Sequence, residues 1–364
     1  MWVLLKLMRK GIKRPKIKCN RLILQVALFF LAFGSHGYGF SQSKVDHYVS
    51  ISFSRVRPLS MGGAFTAAEG GIETIHFNPA ALRLFGFQPG IQFAVFINPV
   101  APAALYHDYT RSNSGCLSSD QWWNVIRLLF KGVVISSSRF DLGVVWYEEL
   151  LDRYQHLNSL LFFDTNRFFD YHMGTGFIHI KLADQVALGG TITQYSVLVG
   201  DKVDRSLGAS YGIFLKPNPR MNVGVVFIDL PQKSPSSRIV LERFEDETVN
   251  VGISYKLFRS NLLTLDIRNI SEENKTAVRE VHIGLEQRLW RHLAVRGGFF
   301  KKKWSPDRFY SLGIGLVNLN LFRSFARQFD YPQFLCNYGM VVRWNKVDNK
   351  GKEYWHMVSL LLSL

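Results

Sequence analysis

Residues 249–257 read VNVGISYKL, with apolar residues at the odd positions and polar or small residues at the even positions. The same two-residue period recurs in 262–270, 277–289 and 308–318. Successive side chains of a β-strand point to opposite faces, so each segment has one apolar face and one face that accepts polar groups. The period therefore predicts β-strands of about ten residues, the length that a tilted strand needs to cross a bilayer.

Fourteen segments qualify as strands, and the connections between them alternate in length. Short turns lie at 137–138, 183–184, 217–219, 259–260 and 291–292, whereas long polar loops lie at 99–128, 150–168, 230–247, 271–276, 301–307 and 346–352. The connection 319–333 breaks this alternation. Short turns at one end and long loops at the other are typical of outer-membrane barrels. We therefore predict an all-β fold, an antiparallel transmembrane β-barrel of about 14 strands over residues 89–364. The predicted strands are 89–98, 129–137, 139–149, 169–182, 185–199, 203–217, 220–229, 248–257, 262–270, 277–289, 293–302, 308–318, 334–345 and 353–364.

The first 39 residues have the composition of an export signal. They contain eight Lys and Arg and no Asp or Glu, followed at 22–34 by an apolar run too short to span a bilayer comfortably. Half of the formal net charge of +16 lies here, so the charge does not indicate a nucleic-acid partner. We predict a signal peptide at 1–39 and export to a Gram-negative outer membrane, with a signal anchor as the alternative.

Motifs for catalysis, metals and cofactors are weak. Gly208-Ala209-Ser210-Tyr211-Gly212 matches G-x-S-x-G, but a strand end and a turn follow where a nucleophile elbow needs a helix. The ten histidines have no metal-ligand spacing. We predict a protein that is not an enzyme, with no catalytic, metal or cofactor site. A disulfide between Cys116 and Cys336 is possible but disfavoured, because Cys336 falls on an apolar strand face.

Several polar residues fall on the predicted inward faces of the strands. They are Asp266, Arg268, His282, Glu286, Arg288, Arg296 and Arg343, which we expect to face the lumen. Glycines follow outward apolar residues in seven strands, as in Ile283-Gly284, and would let the inner wall approach packed material. Lys301-Lys302-Lys303-Trp304 could bind phosphate or contact anionic surface lipid.

Residues 55–84, before the first predicted strand, read RVRPLSMGGAFTAAEGGIETIHFNPAALRL. The stretch resembles the N-terminal segment of FadL-type outer-membrane transporters and of the related PorV/PorQ barrels. The matching residues are Met61, Gly62, Gly63, Ala64, Asn78, Pro79 and Ala80. The families usually have an Asp-Asp pair in the middle, where this chain has Glu69-Gly70-Gly71 and then Glu73.

The resemblance implies that residues 40–88 form a plug, or hatch, within the barrel lumen. It also implies one of two functions. A FadL-like barrel would pass a hydrophobic small-molecule ligand passively across the outer membrane. A PorV/PorQ-like barrel would instead be a partner of secretion-system proteins. Outer-membrane lipid is the expected surroundings in both cases, and the resemblance implies no cofactor.

Overall fold

The structure is a computed structural model and describes most strands and the segment before them. The described ranges are 46–51, 56–84, 90–99, 126, 129–148, 171–199, 202–229, 248–258, 260–270, 280–290, 292–302, 308–319, 334–344 and 352–363. The predicted signal peptide, Cys116 and most of the predicted long loops lie outside these ranges. They stay predictions.

Fourteen antiparallel strands form one closed sheet, as the two-residue period predicts. Each strand pairs with its neighbour in the chain, and the last strand, β15, returns to β2 through Leu362↔Ile97 and Ser363↔Phe96. The predicted fold class is confirmed. The strands are β2 (Gln92–Ile97), β3 (Phe130–Ser136), β4 (Phe140–Glu148), β5 (Tyr171–Ala183), β6 (Val186–Val199), β7 (Lys202–Asn218), β8 (Met221–Asp229), β9 (Thr248–Phe258), β10 (Asn261–Arg268), β11 (Glu280–Trp290), β12 (Leu293–Lys302), β13 (Arg308–Leu319), β14 (Phe334–Trp344) and β15 (Lys352–Ser363).

Burial alternates along these strands and separates their two faces. In β11, Ile283 is 42% exposed whereas its neighbour His282 is 1% exposed. Large apolar side chains cover the outer face, which only lipid would solvate favourably at this extent. Among them are Ile178, Ile192, Leu207, Ile213, Ile253, Leu265, Leu312 and Ile314, between 41% and 66% exposed. No helix in the described ranges has the length and apolarity to cross a bilayer.

A fifteenth strand, β1 (Asp46–Ile51), was not anticipated. It pairs in parallel with β15 from Asp46↔Glu353 to Ile51↔Val358. The strand falls within the predicted plug, yet its backbone extends the sheet of the barrel wall. The strand β1 can pair here because β2 is short. Since β2 pairs with β15 only at 362–363, the edge of β15 at 353–358 is left for another strand.

Residues 56–84, called the lumen segment below, lie inside the barrel. The lumen segment has one short helix, α1 (Val56–Ser60), and two single turns of 3-10 helix, Ile72–Thr74 and Pro79–Ala81. All of its residues are buried except Arg57, Glu69, His76 and Arg83. With so little regular structure of its own, the segment is held chiefly by contacts with the inner wall. Its predicted boundaries, 40 and 88, lie outside the described ranges.

Candidate functional site

A row of glycines on the inner wall lies against the lumen segment. A Cβ atom built on Gly298 of β12 would overlap the Met61–Gly62 peptide, and one on Gly224 of β8 would overlap Thr66. Similar overlaps would occur on neighbouring strands, so the backbone of the segment touches the wall directly. The glycines that meet the backbone of the segment are Gly189, Gly224, Gly252, Gly284 and Gly298, whereas Gly212, Gly313 and Gly339 meet the side chains of Asn78 and Ser60.

This row gives the sequence pattern of apolar residue and glycine a physical meaning. At five of the seven predicted positions the missing side chain makes room for the lumen segment: Gly189, Gly224, Gly252, Gly284 and Gly313. Gly143 is different, because a Cβ there would meet Phe177 and the Val133 carbonyl of the wall itself.

Ion pairs fasten the lumen segment to β11 and β12. Arg57 donates through Nε and Nη2 to the two oxygens of Glu286, at 2.9 and 3.2 Å. Arg296 donates through Nε to Oε2 of Glu286 at 2.7 Å and through Nη1 to Asn337 at 2.8 Å. Arg57 also pairs with Glu73 of the lumen segment itself at 3.0 Å. One carboxylate of the wall is thus shared by two guanidinium groups, one on each side of the contact.

Polar side chains of β10 and β11 bind the backbone of the Met61–Ala64 motif and the residues just after it. Asp266 accepts hydrogen bonds from the amides of Phe65 and Thr66 at 2.7 and 2.8 Å. Arg268 donates to the carbonyl of Gly63. His282 contacts the carbonyl of Gly62 through Nδ1 at 2.6 Å and Glu280 through Nε2 at 3.0 Å. These hydrogen bonds of the wall are therefore made to backbone atoms of the lumen segment.

The seven predicted lumen-facing residues thus divide into two groups. Asp266, Arg268, His282, Glu286 and Arg296 are all buried and contact the lumen segment or its anchor. The other two lie at strand ends: Arg288 is exposed beside the short turn after β11, and Arg343 is half-buried opposite Glu353.

Each part of the predicted motif has a separate local role. Gly62 and Gly63 adopt φ of 64° and 74°, a region that side chains disfavour. Met61 and Ala64 are fully buried. Asn78 caps the Pro79–Ala81 turn by accepting from the Ala80 amide at 3.0 Å.

The Asn78 amide nitrogen connects the segment to the wall. It donates to the carbonyls of Thr66 and Ile213, at 2.9 and 3.2 Å, and the second of these belongs to β7. Pro79 occupies the first position of the following 3-10 turn, where the fixed φ of proline suits a helical turn. Gly70 has no positive φ, but a Cβ atom there would crowd the side chains of Glu73 and Arg57.

Sequence reasoning missed several contacts. Glu69 pairs with Lys216 of β7 and lies 3.9 Å from Lys256 of β9. Ser311 of β13 accepts from the Gly62 amide at 2.8 Å, and Ser254 of β9 donates to the Ala67 carbonyl at 2.8 Å. Both serines occupy inward positions of the alternation, so extending the list of inward residues from charged to hydroxyl side chains would have found them.

The inner wall also has an apolar region on β2 to β8, beside buried polar side chains of the same strands such as Lys131, Thr193 and Asn222. Inward side chains from β2 to β8 pack on Ile72, Ile75, Leu82 and Leu84 of the lumen segment. We call this surface the apolar wall: Ala94, Phe96, Val134, Val145, Tyr147, Met173, Phe177, Tyr195, Val226 and Ile228, with Leu335 and Leu361 from β14 and β15. Tyr147 of this wall donates a hydrogen bond to the Ile72 carbonyl at 3.0 Å. The lumen thus has a charged region on β10 to β12 and an apolar region on β2 to β8.

A cavity of about 180 Å³ opens at the short-turn end, between the lumen segment and β5–β7. Its lining combines Ala80, Leu82 and Phe214 with charged groups such as Lys216. His179 also lines it and is held through Nδ1 by the buried Asp141 at 2.6 Å. Asp141 also pairs with Lys181 of the same lining at 3.2 Å, so His179, Asp141 and Lys181 form one buried charged cluster at this end.

The described residues hold no other reactive arrangement. Ser210 lies within the continuous strand β7, and its hydroxyl is 2.6 Å from that of Thr191 on β6. This is an ordinary cross-strand pair and differs from the strand-to-helix turn that G-x-S-x-G requires. In the described ranges no cluster of three His, Cys, Asp or Glu side chains is suited to a metal ion.

Comparison with known proteins gives matches among solved structures only. No family model and no curated protein matches the chain. The toluene transporter TbuX of Ralstonia pickettii is 11% identical, with a TM-score of 0.48 over 86% of this chain and 97% of that one. The toluene transporter TodX of Pseudomonas putida is 10% identical, with a TM-score of 0.49 over 87% and 98%. A FadL homologue of Pseudomonas aeruginosa is 10% identical, with a TM-score of 0.44 over 87% and 96%.

Proposed function

We propose that this barrel passes hydrophobic small molecules passively across an outer membrane. The observation that carries the proposal is the apolar wall. Barrels that conduct water and ions have polar interiors, whereas here a contiguous cluster of aromatic, aliphatic and methionine side chains covers part of the inner face between β2 and β8. A wall of this kind lowers the free energy of an apolar solute and offers no hydration to an ion.

The charged region of the lumen supports the same function in a different way. Its charged and polar side chains bind the lumen segment through hydrogen bonds and ion pairs, namely Asp266, Arg268, His282 and Glu286. A bulk aqueous path along that side is therefore occupied by protein. The opposite side of the segment packs on the apolar wall through Ile72, Ile75 and Leu82. A hydrophobic molecule would pass between these apolar surfaces when the segment moves.

Uptake by whole cells tests the proposal. A Gram-negative host with intact lipopolysaccharide would express the protein, and entry of a labelled monoaromatic hydrocarbon, a linear alkane and a long-chain fatty acid would be timed. We expect faster entry of at least one of them than in cells with an empty vector. Unchanged entry of all three, with the barrel assembled in the outer membrane, would refute the proposal.

Two adjacent valines provide a matched pair of variants. Val145 lies on the apolar wall and is fully buried, whereas Val144 faces outward and is 41% exposed. Val145→Gln places an amide in the apolar region, so uptake should fall several-fold at equal protein level. Val144→Gln makes the same substitution on the lipid face and should leave uptake unchanged.

The PorV/PorQ-like secretion role stays an untested prediction. Co-purification of exported proteins without uptake of hydrophobic molecules would favour it.

A further inference from the structure

A basic row crosses the outward face of four neighbouring strands at the long-loop end of the barrel. Lys301 of β12 is directly opposite Arg308 of β13, and Arg308 is opposite Trp344 of β14. The backbone position of Lys352 in β15 continues the row beside Trp344. These contiguous register positions place three basic residues and one tryptophan at one level of the wall.

The alternation of burial shows that the row faces away from the lumen. Lys301 is exposed, and the residue before it, Phe300, is 1% exposed. Arg308 is half-buried and precedes Phe309, also 1% exposed. Trp344 is 42% exposed. The side chains of Lys301, Arg308 and Trp344 therefore lie on the outer face, which also carries the large exposed apolar residues.

A second row, of aromatic residues, lies one step toward the membrane centre. Phe299 is opposite Tyr310, and their ring centroids are 5.3 Å apart. Val342 and Tyr354 continue this row on β14 and β15. Aromatic girdles mark the boundary between hydrocarbon and head groups in barrels. The basic row thus lies at head-group level.

Within the described ranges, the charges of Lys301 and Arg308 have no acidic partner. Like charges directly opposite each other on a sheet destabilise it, and Lys301 and Arg308 are such a pair. Neither side chain forms an ion pair within the part of the chain that the structure describes. The outward positions of β12–β15 contain no Asp or Glu. An anion from outside the protein would remove this repulsion.

We propose that the basic row binds the phosphate groups of lipid A, the anionic glycolipid of the outer leaflet. Paired cations suit a phosphate, and the aromatic row beneath them suits the sugar and acyl chains that a free phosphate lacks. The long loops place this end of the barrel on the outer side. The inference rests on the outer-membrane location within the proposed function and does not depend on what the lumen transports.

Native mass spectrometry of the full-length barrel in detergent tests the proposal. Bisphosphorylated lipid A would be titrated against the natural protein and against the double variant Lys301→Gln/Arg308→Gln. Two cations lost from an anionic surface should weaken binding roughly thirtyfold. Arg139→Gln/Arg220→Gln is the matched control, because both arginines are exposed at the short-turn end. The control should bind lipid A as the natural protein does.

Two further arms separate the sources of the phosphate chemistry. Dephosphorylated lipid A should bind the natural protein as weakly as bisphosphorylated lipid A binds the double variant. Inorganic phosphate in excess should not displace lipid A. Equal affinity of the double variant and the natural protein would overturn the proposal, as would equal affinity for the dephosphorylated lipid or displacement by inorganic phosphate. Membrane fractionation of the same variants reports separately whether the barrel reaches the outer membrane.

Discussion

The shared carboxylate of Glu286 should decide how firmly the lumen segment is held. In Glu286→Ala the guanidinium groups of Arg57 and Arg296 lose three charge-assisted hydrogen bonds. The side chains involved are 14%, 4% and 0% exposed for Arg57, Glu286 and Arg296, so water cannot readily replace the carboxylate.

The magnitude follows from the cost of breaking a buried ion pair. Removing one partner of such a pair costs about 3–5 kcal/mol, because the other charge stays buried without compensation. Arg57 retains its ion pair with Glu73, and Arg296 retains its hydrogen bond to the neutral Asn337. If the free energy needed to open the lumen segment locally falls by this amount, amide exchange there should accelerate by roughly two to four powers of ten.

Hydrogen exchange read by mass spectrometry measures this directly in the purified barrel. Peptides covering 61–68 should exchange faster in Glu286→Ala, while peptides from β5–β7 should keep their natural rates. Asp229→Ala removes an exposed carboxylate at the end of β8 and is the matched control. Unchanged exchange in 61–68 would refute the reasoning, and so would equal acceleration in every strand, since the effect would then belong to the barrel as a whole.

Three further predictions concern the wall, the glycine row and the cap. Leu285 lies at the middle of β11 on the lipid face, so Leu285→Arg should destabilise the barrel by about 2–4 kcal/mol in urea titrations. Leu289→Arg, near the end of the same strand, should destabilise it by about 0–1 kcal/mol. Equal destabilisation by both variants would contradict the face and depth assignments. Gly298→Ala should displace the lumen segment and speed its proteolysis, whereas Gly297→Ala, with no contact nearer than 3.9 Å, should not; identical digestion would contradict direct backbone contact. Asn78→Ala should keep the heat-dependent gel mobility of a closed barrel. It should lower the free energy of opening the lumen segment by about 1–3 kcal/mol, measured by hydrogen exchange. Loss of the mobility shift would show that the cap is needed for assembly.

The two-residue period was sufficient to predict the barrel, because lipid outside and packed protein inside impose opposite demands on alternate residues. Stretches such as 249–257 record that difference directly. The position of β1 could not be predicted in this way. A short strand whose neighbour is the far end of the chain depends on where β2 stops, and the sequence of 46–51 does not contain that information.

The candidate site was predictable in part for the same reason. Alternation places Asp266 and Glu286 on the inner face, but it does not say what they meet there. The contact with Arg57 joins residues 229 positions apart and depends on the path of the lumen segment. From alternation alone, replacing the inward Glu286 should leave barrel assembly intact, and this stays a prediction. Alternation does not show that the carboxylate is buried between two cations and holds the lumen segment.

Ion conductance in a planar bilayer is the most direct test of the central claim, that the lumen is occupied and passes hydrophobic molecules and not water. The purified barrel would be reconstituted and its current recorded over a range of voltages. We expect the natural protein to show no steady current, because the lumen segment contacts the wall from β6 to β14 and leaves no water-filled pore. A steady, ohmic current from every inserted molecule would contradict it.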